Sequence, residues 1–79
     1  MNKIYFRLVY NRKKKLNKSG NALIQVEAYR NRKKVYISTG IYVNPQQWDN
    51  RHSRIIQHPH SEELNRMLEE FILQLQWEE

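Results

Sequence analysis

The chain has 79 residues, 39% of them hydrophobic, and no cysteine. That length bounds it to one small domain with a modest core, and the missing thiols exclude disulfide staples and cysteine-held metal while fitting a reducing cytoplasm. The net charge of +6 is segregated: residues 1–60 hold 13 Lys and Arg against Glu27 and Asp49, a net of +11, whereas residues 61–79 hold six glutamates and only Arg66, a net of −5.

In chain order, residues 3–11 alternate, with Ile4, Phe6, Leu8 and Tyr10 on one side and Tyr5, Arg7 and Val9 on the other. A period of two is the signature of a strand. The segment "RKKKLNKSG" at 12–20 follows, with Arg12, Lys13, Lys14, Lys15 and Lys18 packed into nine residues. Residues 21–30 alternate again, placing Ala22, Ile24, Val26 and Ala28 opposite Leu23, Gln25, Glu27 and Tyr29. Residues 33–40 continue the pattern, with Val35, Ile37 and Thr39 opposite Lys34, Tyr36 and Ser38. The turn between the last two is Asn31-Arg32. Arg accepts positive φ less readily than Gly, which predicts a connection looser than two residues. Together these segments predict a three-stranded antiparallel meander.

After Gly40 the character changes. Asn44-Pro45 reads as an N-cap and first helical position, so 45–49 is predicted as a single helical turn that folds Trp48 back against an open edge of the core. Residues 50–60 are a polar connection with a short Arg54–Gln57 stretch able to extend. Residues 62–77 are predicted as a helix, with Ser61 as N-cap and Glu62 and Glu63 where the helix dipole favours anions. Leu64, Met67, Leu68, Phe71, Ile72 and Leu75 form one apolar stripe along it. That stripe needs a sheet face to cover, and Ile4, Phe6, Leu8, Ile24, Val26, Ala28, Val35 and Ile37 supply one. The expected fold is therefore α+β: a three-stranded antiparallel β-sheet with a C-terminal α-helix packed on one face. Leu73 and Trp77 lie partly off the stripe and point to a continuation into a longer protein. No apolar run approaches the ~20 residues that span a bilayer, and the N-terminus is read as a strand rather than a signal peptide.

Covering one sheet face leaves the other open. It presents Tyr5, Arg7, Gln25, Tyr29, Lys34 and Tyr36, with Val9, Leu23, Glu27 and Ser38 between them. Such a surface either stabilises the sheet through cross-strand pairs or meets a ligand. The basic rims favour a polyanion: Arg12, Lys13, Lys14, Lys15 and Lys18 at one end, and Arg30, Arg32 and Lys33 at the other. The major groove of B-DNA admits a β-ribbon, and Arg and Gln suit guanine and adenine edges. On this reading the open-face residues contact bases and the rim cations hold phosphates.

Other chemistry is absent from the pattern. His58-Pro59-His60, with His52, lacks a carboxylate or cysteine to complete a metal set and reads as a polar turn. No tyrosine or serine has a paired base and acid at motif spacing. There is no P-loop or dinucleotide glycine motif. Neither catalytic residues, cofactor, metal nor small-molecule ligand is expected, and no membrane.

The order of elements, with "YISTGIYVNPQQWD" and "LNRML", resembles the N-terminal arm-type DNA-binding domain of bacterial tyrosine recombinases, the integrases of phages and conjugative transposons. The most specific residues are Ser38-Thr39-Gly40, Ile41, Val43, Pro45, Trp48-Asp49, Asn65 and Leu68, and most of them look architectural. Arg32 departs from the Asn-Gly turn common in such domains. The resemblance implies a single non-catalytic domain over 1–79, part of a longer integrase whose catalytic tyrosine lies in a separate domain. It also implies docking of the sheet in the major groove of double-stranded DNA at arm-type sites, within DNA integration and recombination in a bacterial cytoplasm. Neighbouring recombinase subunits are the expected protein partners, reached through the C-terminal helix. Two alternatives are an RNA-binding module, which the absence of an RNP-type Phe and Gly run opposes, and a protein-interaction domain within a recombinase assembly.

Overall fold

The computed structural model describes residues 3–77. Three alternating segments form an antiparallel sheet in the order β1 (Tyr5–Tyr10), β2 (Ala22–Arg30), β3 (Lys33–Val43). A short 3-10 turn (Pro45–Gln47) leads into a two-stranded ribbon, β4 (Trp48–Asp49) with β5 (Arg54–Ile55), and helix α1 (Ser61–Trp77) closes the chain. The α+β class with a C-terminal helix over one sheet face is as expected.

Several details differ from the sequence reading. The β2–β3 connection is tight, because Arg30 pairs with Lys33 and only Asn31 and Arg32 lie between them. Both have positive φ, 52° and 63°, the geometry whose twist matches paired strands. Strand pairing thus holds Arg32 in a conformation its side chain disfavours.

β3 also runs three residues past Gly40, to Val43. Gln25 pairs with Ser38 while Leu23 pairs with Tyr42, so β3 carries two more residues than β2 across that interval. Gly40, at φ +76°, makes the excursion, and the Thr39 hydroxyl spans it by donating to the Ile24 carbonyl at 2.7 Å and accepting from Ile41 N–H at 3.1 Å. An insertion of two leaves the alternation in phase. Tyr42 therefore shares the face of Ser38, and Val43 joins the core.

The predicted helical turn at 45–49 closes after Gln47. Asn44 and Gln47 cap each other reciprocally, the Asn44 side chain accepting from Gln47 N–H and the Gln47 side chain from Asn44 N–H, each at 3.1 Å. Trp48 and Asp49 then pair with Ile55 and Arg54. Helix α1 starts one residue early, with Leu64 N–H donating to the His60 carbonyl. His60 therefore occupies the cap position expected for Ser61.

The core sits towards one end of the sheet. Ile24, Val43, Trp48, Ile55 and Leu68 form it, flanked by Leu8, Tyr10, Ile41 and Leu64. Trp48 stacks on Tyr10 with ring centroids 5.7 Å apart, and the Tyr10 hydroxyl donates to the Val43 carbonyl at 2.8 Å. Burial of that phenol raises its pKa. The helix was expected to cover Val35 as well, but Val35 is 58% exposed, and Ile4, Phe6, Ala28 and Ile37 are only half-buried. Helix α1 touches both β5 and β3 at the core end, where Leu64 and Leu68 of its stripe pack beside Trp48 and Ile55, while Met67 stays 49% exposed.

Candidate nucleic-acid interface

The sheet register arranges the open face in transverse rows. Tyr5, Tyr29 and Lys34 form the first, Arg7, Glu27 and Tyr36 the second, and Val9, Gln25 and Ser38 the third; Leu23 and Tyr42 begin a fourth beside the loop. All six expected base-contacting residues therefore lie on one surface. Tyr5 and Tyr29 are exposed, with Lys3 above the Tyr5 ring at 5.7 Å. Tyr5, Arg7, Glu27, Tyr29 and Lys34 line a shallow depression of about 500 Å³ together with Phe6.

The second row is a bonded network. The Arg7 guanidinium donates through Nε to Glu27 Oε1 at 2.9 Å and through Nη2 to Oε2 at 3.2 Å, and the Tyr36 hydroxyl donates to Oε2 at 3.1 Å. Glu27 is only 5% exposed. A buried carboxylate persists when its charge is paired and its oxygens are bonded. The Arg7 hydrogen bond is the main cause that holds the Glu27 pKa below the ordinary carboxylate range against the opposing effect of burial, and the same bond raises the Arg7 pKa. Above Tyr36 lies the Arg12 guanidinium, 3.9 Å from the ring centroid. The basic loop thus reaches across the face and does not merely edge it.

That loop holds its like charges on an asparagine frame. Asn11, at φ 51°, accepts Lys14 N–H on its carbonyl and Lys15 N–H on its side chain, each at 2.9 Å. Asn17 Oδ1 accepts the N–H groups of Ser19 and Asn21 at 2.9 and 3.0 Å. Asn and Asp suit such turns because a short side chain replaces a backbone partner. Arg12, Lys13 and Lys15 line a concavity of about 350 Å³ floored by Leu23, Gln25 and Tyr42. Lys14 and Lys18 are exposed on the loop.

The cations at the other end divide between the faces. Lys34 belongs to the open face, and Arg32 is at the turn. Arg30 and Lys33 share the parity of Ala28 and Val35 and line a hollow with them and Ile4 on the helix side.

Alternation read only to Gly40 leaves Tyr42 off the face, and it puts Glu27 on the face without showing its bonds. Tyr42 is 52% exposed; the alternation of "IYV" after Gly40 is the available signal. Glu27 is one of two acids in the basic first 60 residues.

The histidines make turns. His52 Nδ1 lies 2.8 Å from Asp49 Oδ2, and His58 Nδ1 accepts from His60 N–H at 3.0 Å. The His52 bond lowers the Asp49 pKa. Among the described residues no three His, Cys, Asp or Glu side chains converge as metal ligands, and no helix is long and apolar enough to cross a membrane.

The described residues of this surface gather cations and hydrogen-bond donors on one uncovered sheet face. Neither the curated proteins nor the solved structures include a match to the chain. The family model for the Arm DNA-binding domain matches residues 9–78, which take in the basic loop, β2, β3 and the helix but begin after Tyr5 and Arg7 of β1, and the chain belongs to that family of non-catalytic DNA-binding domains.

Proposed function

We propose that this domain binds arm-type sites in double-stranded DNA as the N-terminal module of a site-specific tyrosine recombinase, laying its open sheet face in the major groove. The single observation that carries the reading is the bonded row Arg7–Glu27–Tyr36 capped by Arg12. It holds guanidinium groups in fixed positions on an otherwise uncovered sheet. The asparagine-framed loop then lies where a groove wall would be, and its lysines meet phosphates. Recombination chemistry belongs to another domain of the parent protein, which acts on bacterial DNA in the cytoplasm.

The test is a binding selection from random duplex DNA, run beside single-stranded DNA and RNA of matched length. Enrichment of a duplex motif supports the reading. Preference for an unpaired strand would instead favour base stacking on the tyrosines.

A second contact is favoured by the helix. Leu73 is 55% exposed and Trp77 88% exposed at its C-terminal end, a surface suited to a neighbouring recombinase subunit on the same DNA. Such a contact is compatible with DNA binding, because it lies on the face opposite the rows.

A further inference from the structure

The Arg7–Glu27 pair fixes more than the position of a charge. A guanidinium has five N–H groups along two usable edges. Glu27 takes the side edge, through Nε and one hydrogen of Nη2. What remains is the end edge, where Nη1 and Nη2 each present one N–H in parallel. The Arg7 side chain is 68% exposed, whereas that of Glu27 is 7% exposed, so the outward edge is accessible and the carboxylate is not. Both Glu27 oxygens are also occupied, Oε1 by Arg7 and Oε2 by Arg7 and Tyr36. With three of its roughly four acceptor sites taken and its side chain 7% exposed, Glu27 is poorly placed to accept a hydrogen bond from a cytosine amino group itself. Its chemistry is directed sideways, at Arg7.

In the major groove, two parallel donors match the O6 and N7 acceptors of guanine, whereas adenine offers an acceptor beside a donor. A free arginine samples many rotamers and also pairs readily with phosphate. One bound along its side edge has already lost that freedom, and the ordering cost is met before DNA arrives. We propose that Glu27 is a positioning residue that presents the end edge of Arg7 to a single guanine, so that the domain selects a G·C pair at one position of its site. The inference rests on the duplex-binding reading above. Tyr36 is the second support, since its hydroxyl fixes the Glu27 carboxylate while its ring carries Arg12.

The experiment uses the whole chain and the duplex motif it selects. One position of that motif should be guanine. Replacing this G·C pair with A·T should weaken binding by roughly five- to 150-fold, and 7-deazaguanine, which lacks the N7 acceptor, should reproduce part of the loss. The readout is the affinity ratio between the guanine duplex and each altered duplex. Arg7→Lys keeps a cation next to Glu27 but replaces the paired planar edge with a single ammonium shared between the carboxylate and the base, and should lower the ratio several-fold. Glu27→Gln is nearly isosteric, but offers one acceptor where Arg7 needs two, and should reduce the ratio several-fold.

A purely structural role for the pair would weaken all duplexes by a common factor and leave the ratio where it was. That result in a folded Glu27→Gln variant, checked by circular dichroism, would overturn the proposal, and so would a ratio unmoved in Arg7→Lys should Glu27→Gln not fold. A duplex motif with no guanine sensitive to Arg7 would also overturn it while leaving duplex recognition standing. Failure to enrich any duplex motif would remove both.

Discussion

Asn65 pairs with Ile55 as a neighbouring strand would. Its carboxamide oxygen accepts from Ile55 N–H at 2.7 Å, and its amide nitrogen donates to the Ile55 carbonyl at 2.9 Å. Ile55 is 1% exposed, so water has little access to replace either bond. One helix side chain thereby completes the hydrogen bonding of the ribbon β4–β5 and ties it to α1. Asn65→Ala leaves a buried donor and a buried acceptor without partners and should cost about 2–4 kcal/mol, seen as a lower urea midpoint. Asn65→Asp keeps the acceptor but sets a carboxylate against the Ile55 carbonyl. Its loss of stability should therefore ease as acid protonates the new side chain.

Leu68 is the buried residue of α1, at 1% exposure, and it lies within the core formed by Ile24, Val43, Trp48 and Ile55. Leu68→Ala should cost about 2–5 kcal/mol, comparable with the whole stability of a small domain. The chain should be largely unfolded at moderate temperature by circular dichroism. Leu73→Ala, on the exposed side of the same helix, should change the melting temperature little. Equal melting curves for the two variants would contradict the packing described above.

Backbone conformation, and not space, should decide substitutions at two turns. A Cβ at Gly40 would meet no atom within 4 Å, yet its φ is +76°. Gly40→Ala should therefore destabilise by about 1–2 kcal/mol from conformation alone. The reverse holds at Arg32, whose φ is 63°. Arg32→Gly should stabilise the fold by about 1 kcal/mol, while removing one cation from the turn. Thermal melts of both variants give the sign directly.

Lys13, Lys14 and Lys15 stand on the loop frame and not in the bonded rows. Phosphates carry no base identity, so replacing all three with Ala should weaken binding to selected and random duplexes by similar factors. Each lost phosphate contact should make the log–log salt slope shallower by about 0.9. Titrations at several salt concentrations measure both effects. Gln25→Ala, on the sheet, should instead reduce the preference for the selected site by about 1–3 kcal/mol if a bidentate adenine contact is lost.

The Glu27 pKa is lowered in the folded state, chiefly by the hydrogen bond from Arg7. A carboxyl with a depressed folded pKa adds stability that is full above its unfolded value, about 4.3, and is lost as pH falls through the folded value. Glu27→Gln lacks this contribution at every pH. The gap in urea midpoint between wild type and variant should thus be widest at neutral pH and narrow as pH drops below about 4.3. Asp49, lowered by its bond with His52, has the same sign, but it is present in both proteins and does not affect the difference.

Period-two alternation in residues 3–11, 21–30 and 33–40 was enough to place three strands and to sort their side chains into two faces, because a strand offers its residues no other choice. The apolar stripe of 64–75 was likewise enough to place the helix and to make Leu68 central. The six expected open-face residues follow from the same parity, which needs no knowledge of neighbours. Contacts between distant elements are a different matter. The excursion at Thr39–Ile41 depends on pairing with β2, and only that pairing reveals Tyr42 as part of the open face. The tight Asn31-Arg32 turn is imposed by the strands on either side, against the local preference of Arg32. Glu27 looked like one polar residue among several; its role arises because register sets Arg7 and Tyr36 beside it, 20 positions before and 9 after in the chain. Arg12 could be counted as a loop cation from composition, but its place over Tyr36 is set by where the asparagine frame folds the loop. Local alternation fixes which way a side chain faces, whereas its partners are fixed by the register of strands that lie far apart in sequence.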